Sequence, residues 1–123
     1  MAEQPFTRSG QMAAWVRAHD LTQEIFGAWP GRAGTLLTAQ IGAPTINVQK
    51  GCINTYVGMN HDHGEMADPL KRIRASGARY VISEMELLEG EKLVTFEKGG
   101  GMQPAVHIYR FDDNEPRQLP PCD

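Results

Sequence analysis

The chain has 123 residues, a mass of 13.6 kDa and a formal net charge of −3, with 41% hydrophobic and 22% charged residues. This composition excludes an intrinsically disordered chain, and the length suits a single domain with its own core. The isoelectric point of about 5.8 argues against a nucleic acid partner, because no overall positive charge attracts phosphates. No apolar stretch approaches the roughly 20 residues of a membrane-spanning helix, so we expect a soluble protein without a membrane partner.

The first predicted element is an amphipathic helix over residues 10–28, which a second capping box at Asp20 and Gln23 would divide into two short helices near His19–Asp20. Ser9 is a suitable N-cap, and a helical wheel brings the large apolar side chains to one side. Those side chains are Met12, Trp15, Val16, Phe26 and Trp29. We expect Trp15 to be buried against the rest of the core, and Pro30 with Gly31 to end the helix.

Alternation of apolar and polar residues predicts two strands after Gly34. The first presents Leu37 and Ile41 to the core. The second runs over residues 46–57, where a bulge at Gly51 keeps the apolar residues on both sides of it facing the same way.

A short central helix and three further strands complete the predicted fold. The helix begins at Asp68-Pro69, an acidic N-cap followed by proline, and ends at Gly77. The strands lie at about residues 79–88, 92–98 and 104–111. Because short glycine-containing turns connect them, they are predicted to form an antiparallel meander.

These elements predict a single-domain α+β fold over residues 1–113. It has a mostly antiparallel sheet of about five strands, with the N-terminal helix and the short central helix packed against it. The predicted core of the sheet is Leu37, Ile41, Ile53, Val57, Val94, Phe96, Val106 and Ile108. Residues 114–123 are acidic and contain three prolines, so they are predicted to form an irregular, poorly ordered tail that is dispensable for folding.

The two cysteines are predicted to be free thiols. Cys52 lies in a predicted strand and Cys122 near the end of the predicted tail, so a bond between them would only tether a segment with little to bury. Residues 1–10 lack the apolar run of a signal peptide. We therefore expect reduced cysteines in a cytosolic, or cytoplasmic, protein.

The run His61-Asp62-His63-Gly64-Glu65 concentrates groups that bind metals. Alternate side chains of an extended backbone point the same way, so His61, His63 and Glu65 are a candidate three-ligand set, with His107 as a further ligand. Nitrogen and carboxylate ligands suit Zn²⁺ or Fe²⁺ as a cofactor. The alternative is a solvated polar loop whose acidic residues favour the start of the following helix.

Metal-free acid–base chemistry is a second interpretation of the same histidines. Histidine titrates near neutral pH, so His63 and His107 are candidate catalytic residues, for example for cleavage of a phosphodiester. A basic residue such as Lys71 or Arg72 would then hold the phosphate.

Charged side chains supply candidate partner-binding surfaces. Lys71, Arg72 and Arg74 give the central helix a basic face that suits an acidic partner or a small anion, although a solvated helix face is the usual explanation of such residues. Glu84 and Glu86 belong to an acidic strand face that suits recognition by a protein.

The sequence contains no dinucleotide-binding glycine motif, no P-loop and no nucleophile elbow. We therefore expect a small non-enzymatic binding or regulatory protein, of the inhibitor or immunity type, that acts by stoichiometric contact with a protein partner. The alternatives are a metal-dependent enzyme centred on His61, His63, Glu65 and His107, and a protein that sequesters a small anion. An exposed strand edge would also allow a homodimer.

Overall fold

The computed structural model describes residues 8–29, 37–38, 41–54, 68–97, 105–115 and 117–122. They form a single domain with two helices and six strands. The helices are α1 (Arg8–Ala18) and α2 (Pro69–Ser76). The strands are β1 (Phe26–Trp29), β2 (Thr45–Asn47), β3 (Cys52–Asn54), β4 (Tyr80–Ser83), β5 (Glu91–Phe96) and β6 (Val106–Arg110).

The six strands form one mixed sheet in the order β3-β2-β1-β4-β6-β5. Strand β1 lies at the centre, parallel to both β2 and β4. The outer pairs β2–β3, β4–β6 and β5–β6 are antiparallel. The predicted α+β class and single domain are confirmed, while the sheet has more parallel character than the sequence indicated.

Each face of the sheet carries its own apolar cluster, because successive side chains of a strand point to opposite faces. Helix α1 covers one face through Met12, Ala13 and Val16. Helix α2 covers the other face through Ile73, beside Tyr109 of β6. No helix among the described residues is long and apolar enough to cross a membrane.

Helix α1 ends where the sequence indicated a break, near His19–Asp20, but no second helix follows it before β1. It ends at Ala18, the chain turns at Asp20 with a positive φ of 58°, and residues 26–29 form β1 instead of a last helical turn. All four residues of β1 are buried. A strand covered on both faces shows no period-two alternation, and this explains the wrong helical prediction. Trp15 is only partly buried and stacks on the ring of His19.

Residues 37–57 also differ from their prediction. Leu37, Thr38 and Ile41 have helical conformation, so the strand predicted there is wrong. The long strand predicted over 46–57 is two short ones, β2 and β3, which the turn at residues 48–51 folds into an antiparallel pair. Gly51 has a positive φ of 70° and therefore makes this turn rather than a bulge.

The last three strands do not form the predicted meander. Strand β6 lies between β4 and β5 and pairs antiparallel with both. Of the predicted core, Leu37, Phe96, Val106 and Ile108 are buried, and Ile41, Ile53 and Val94 are partly buried. Val57 lies outside the described residues.

Helix α2 lies where the sequence placed it. Pro69 occupies the first helical turn, and Asp68 precedes it with a positive φ of 51° but without a capping hydrogen bond from its side chain. The helix ends at Gly77, where φ is 72°. A Cβ at Gly77 would lie 2.0 Å from the carbonyl oxygen of Glu115, so only glycine lets the C-terminal segment approach here.

The C-terminal residues dock on the domain and are not free. The backbone N–H of Ile53 donates to Pro120, and that of Cys122 donates back to Ile53, so the segment lies along β3 at the edge of the sheet. A disulfide joins Cys52 to Cys122. The expectation of two free thiols is therefore wrong, because the edge of β3 brings the two cysteines together across a separation of 70 residues. Leu119 packs on the α2-side cluster, so the segment does bury apolar surface.

We predict that Cys122→Ser lowers the free energy of unfolding by about 2–4 kcal/mol, because the disulfide restricts a long loop of the unfolded chain. Urea denaturation of the variant measures the change. Wild-type protein under a thiol reductant is the matched control and should unfold like the variant. Detection of two free thiols by alkylation of the denatured, unreduced protein would contradict the pairing.

Asn114 is expected to be a second anchor of the C-terminal segment. It is buried to 6% exposure, and its amide donates to the carbonyl oxygens of Ile73, at 3.3 Å, and Ala78, at 2.7 Å. Asn114→Ala leaves both carbonyls without this donor, so we predict a loss of about 2–4 kcal/mol of stability by denaturant titration. Gln118→Ala, at an exposed position of the same segment, should change it by less than about 0.5 kcal/mol. Equal stabilities of the two variants would count against this role.

Candidate functional site

The proposed metal ligands are only partly within the described residues. His61, His63 and Glu65 lie outside them. Within the part of the chain that the structure describes, no three residues among histidine, cysteine, aspartate and glutamate are grouped to hold a metal ion.

His107, the remaining candidate ligand and base, lies on β6 on the α2 side of the sheet. Its exposed fraction is 8%, and its Nδ1 is 2.9 Å from the hydroxyl of Thr95 on the neighbouring strand. Burial lowers the pKa of His107, and the charge of Lys92 lowers it further, while Glu86 and Glu97 act in the opposite direction. The imidazole is therefore held neutral and partnered inside the sheet.

The three basic residues of α2 have different environments. Arg72 donates to the backbone carbonyl of Gln49 in the β2–β3 turn, at 2.9 Å. Arg74 pairs with Asp113 and Glu89 and also donates to the side chain of Asn114. Lys71 has no ion pair among the described residues and borders a cleft beside the helix. The predicted basic face is thus largely engaged in holding the fold together.

Residues 84–90, which we call the β4–β5 loop, are fixed at several points. Ser83 is buried, and its hydroxyl both donates to the carbonyl of Met85 and accepts from the Met85 N–H. The N–H of Leu87 donates to the hydroxyl of Tyr109 at 2.9 Å. The N–H of Glu84 donates to the carbonyl oxygen of Trp29, at 3.1 Å. Four hydrogen bonds therefore hold the backbone of the first half of the loop.

Ion pairs and close packing also hold the loop. Glu86 accepts a hydrogen bond from Lys92, and this contact lowers the pKa of Glu86. Glu89 pairs with Arg74 at 3.4 Å. Gly90 has a φ of 86°, and a Cβ there would lie 2.7 Å from the ring of Phe111. A larger residue could not make this turn without displacing the ring.

This fixed loop presents two apolar side chains to solvent. Leu88 is 95% exposed and Met85 is 55% exposed; the third exposed large apolar residue of the described chain is Ile25, at 42%. Beside Leu88, the loop and the first turn of α2 enclose a cleft of about 520 Å³. Its lining is mostly apolar, from Pro69, Leu70, Leu87 and Leu88, with Asp68, Lys71 and Glu86 as the polar residues. We call this the α2–loop cleft.

This site was not predicted from the sequence, although a signal was present. In the predicted strand over 79–88, Leu88 shares its face with the acidic residues Glu84 and Glu86, where a leucine has no core to enter. The structure ends β4 at Ser83, so Leu88 lies in a loop and points away from both apolar clusters.

Comparison with protein-family models, with curated proteins and with solved structures finds no match to this chain. The site must therefore be interpreted from its own geometry.

We predict that His107 makes stability depend on pH. Its folded pKa is below the ordinary value of about 6.5, so below that pH the unfolded chain binds more protons. Neutral His107 therefore contributes to the free energy of unfolding above about pH 6.5, and this contribution is lost as the pH falls towards the lowered pKa. Denaturant titrations between about pH 7.5 and pH 5 should show that the free energy of unfolding decreases less for His107→Gln than for the wild type. Parallel curves for the two proteins would exclude this role.

Proposed function

We propose that the protein is a non-enzymatic binding protein that acts by stoichiometric contact with a protein partner, as an inhibitor or regulator does. The contact is centred on Leu88 and the α2–loop cleft. The exposure of Leu88 on a loop with a fixed backbone carries the proposal. The partner surface that fits offers an apolar depression for Leu88 and an apolar side chain that enters the cleft.

The energetics of the loop support this proposal. Burial of a leucine side chain contributes about 1.5–3 kcal/mol, and the fold leaves this contribution unused at Leu88. One exposed leucine is common on protein surfaces, but here Met85 and an apolar cleft lie beside it. An anchor on a fixed backbone also loses little conformational entropy when it binds.

The polar residues around the cleft suit the rim of a protein interface. Asp68, Lys71 and Glu86 border an otherwise apolar depression, and interfaces commonly combine an apolar centre with a charged edge. By contrast, Arg72 and Arg74 already contact other parts of the domain. These contacts favour a protein partner over the sequestration of a small anion by α2.

The disulfide is relevant to the compartment in which the protein would meet this partner. The cytosolic location expected from the sequence depended on free thiols. A bond between Cys52 and Cys122 persists in oxidising surroundings and is rare in a reducing cytosol. We infer that the contact takes place in a compartment where disulfides are stable.

Photo-crosslinking in the native host tests the proposed contact. A photoreactive phenylalanine replaces Leu88 in one variant and Ile25 in a control. Ile25 is also exposed but precedes β1, at the opposite end of the sheet from the loop. We predict a discrete adduct from position 88 that is absent from position 25.

The partner recovered in the adduct is then purified and titrated against the wild-type protein. We predict a 1:1 complex whose affinity Leu88→Ser lowers at least about tenfold, as expected for a buried anchor residue, while Ile25→Ser leaves it within about twofold. An adduct of twice the chain mass would identify a second copy as the partner. The absence of a position-specific adduct, or equal affinities for both variants, would refute the proposal.

A further inference from the structure

A second depression lies at the opposite end of the sheet from the α2–loop cleft. It has a volume of about 230 Å³ and lies beside the C-terminal end of α2. Its apolar wall is formed by Ile46, Ile53 and Ala78, from β2, β3 and the segment before β4. The volume is below the roughly 300–1,000 Å³ of pockets for drug-sized molecules, so it suits a small metabolite. We call it the arginine pocket, after Arg79 and Arg117, which are among its lining residues.

The charged residues of the arginine pocket are not neutralised by one another. Arg79 and Arg117 both line it, and neither guanidinium group has an ion-pair partner among the described residues. Glu24 is the only carboxylate in the described lining. Two positive charges against one negative charge leave a surplus of one, which complements a monoanion better than a phosphate dianion.

The fold holds Arg117 at this position from both sides. Asn114 anchors the chain before it through hydrogen bonds to Ile73 and Ala78, and the Cys52–Cys122 disulfide anchors the chain after it. At Gly77, an added Cβ would lie 3.1 Å from the Cγ of Arg117, so the absence of a side chain there makes room for this arginine. The disulfide and Asn114 thus position the segment that carries Arg117, one of the two arginines of the pocket.

We propose that the arginine pocket binds a small carboxylic acid with a branched apolar body. The two guanidinium groups receive the carboxylate, because their planar N–H groups match its two oxygens. Ile46, Ile53 and Ala78 receive the apolar body. This site is separate from the contact proposed around Leu88, and neither depends on the other.

Calorimetric titration with 4-methylpentanoate tests the site, with 4-methylpentanamide as a neutral probe of the same shape. We expect saturable 1:1 binding of the acid and at least about tenfold weaker binding of the amide, since charge-assisted hydrogen bonds are lost. Inorganic phosphate should bind more weakly than the acid. Failure of the acid to bind at about 10 mM, or equal binding of acid and amide, would overturn the proposal.

Four variants test where the acid binds. Arg79→Gln and Arg117→Gln should each raise the Kd for the acid about tenfold or more. Lys50→Gln removes the same charge at the β2–β3 turn, at the other end of the strands, and should leave the Kd within about twofold. Glu24→Gln should tighten binding, because it removes a repelling carboxylate. Equal affinities for Arg79→Gln, Arg117→Gln and Lys50→Gln would refute the assignment of the site.

Discussion

Strand β1 is buried on both of its faces, and this burial determines where the other elements lie. Phe26 faces the α1-side cluster and Trp29 the α2-side cluster. Between them, a Cβ at Gly27 would lie 2.8 Å from the Cβ of Ala78, so the segment after α2 packs directly on the backbone of β1. Helix α1 precedes β1 and α2 lies between β3 and β4, and the two helices cover opposite faces of this central strand.

Local signals in the sequence predicted the elements whose ends they mark. Asp68-Pro69 and Gly77 delimit α2 as expected, and the run of three glycines at residues 99–101 of the sequence correctly indicated that β5 and β6 pair antiparallel. The burial of β1 and the insertion of β6 between β4 and β5 depend on contacts between distant segments. The local pattern of apolar and polar residues does not reveal such contacts. For this reason the fold class was predictable, while the strand order was not.

The distinction between local signals and contacts across the chain also applies to the candidate functional residues. Composition drew attention to the histidine-rich run, where the reactive groups are adjacent in sequence. The candidate sites within the described chain are made of ordinary residues that become distinctive only through position. Leu88 is notable because the Ser83 and Tyr109 hydrogen bonds fix its loop, and Arg117 because a disulfide across 70 residues returns its segment to the sheet. Both circumstances depend on contacts between distant segments, although the acidic neighbours of Leu88 and the pair of cysteines were signals in the sequence.

The Arg74 guanidinium connects the two surfaces in physical terms. Through Glu89 it holds the loop that presents Leu88, and through Asp113 and Asn114 it holds the start of the segment that carries Arg117. The group also lies 5.1 Å from the centre of the Phe111 ring, against which Gly90 closes the loop. The hydrogen bond from Arg74 also lowers the pKa of Asp113. One arginine on a short helix thus contacts both the β4–β5 loop and the start of the C-terminal segment, and the basic residue that the sequence suggested for recognition has a structural role.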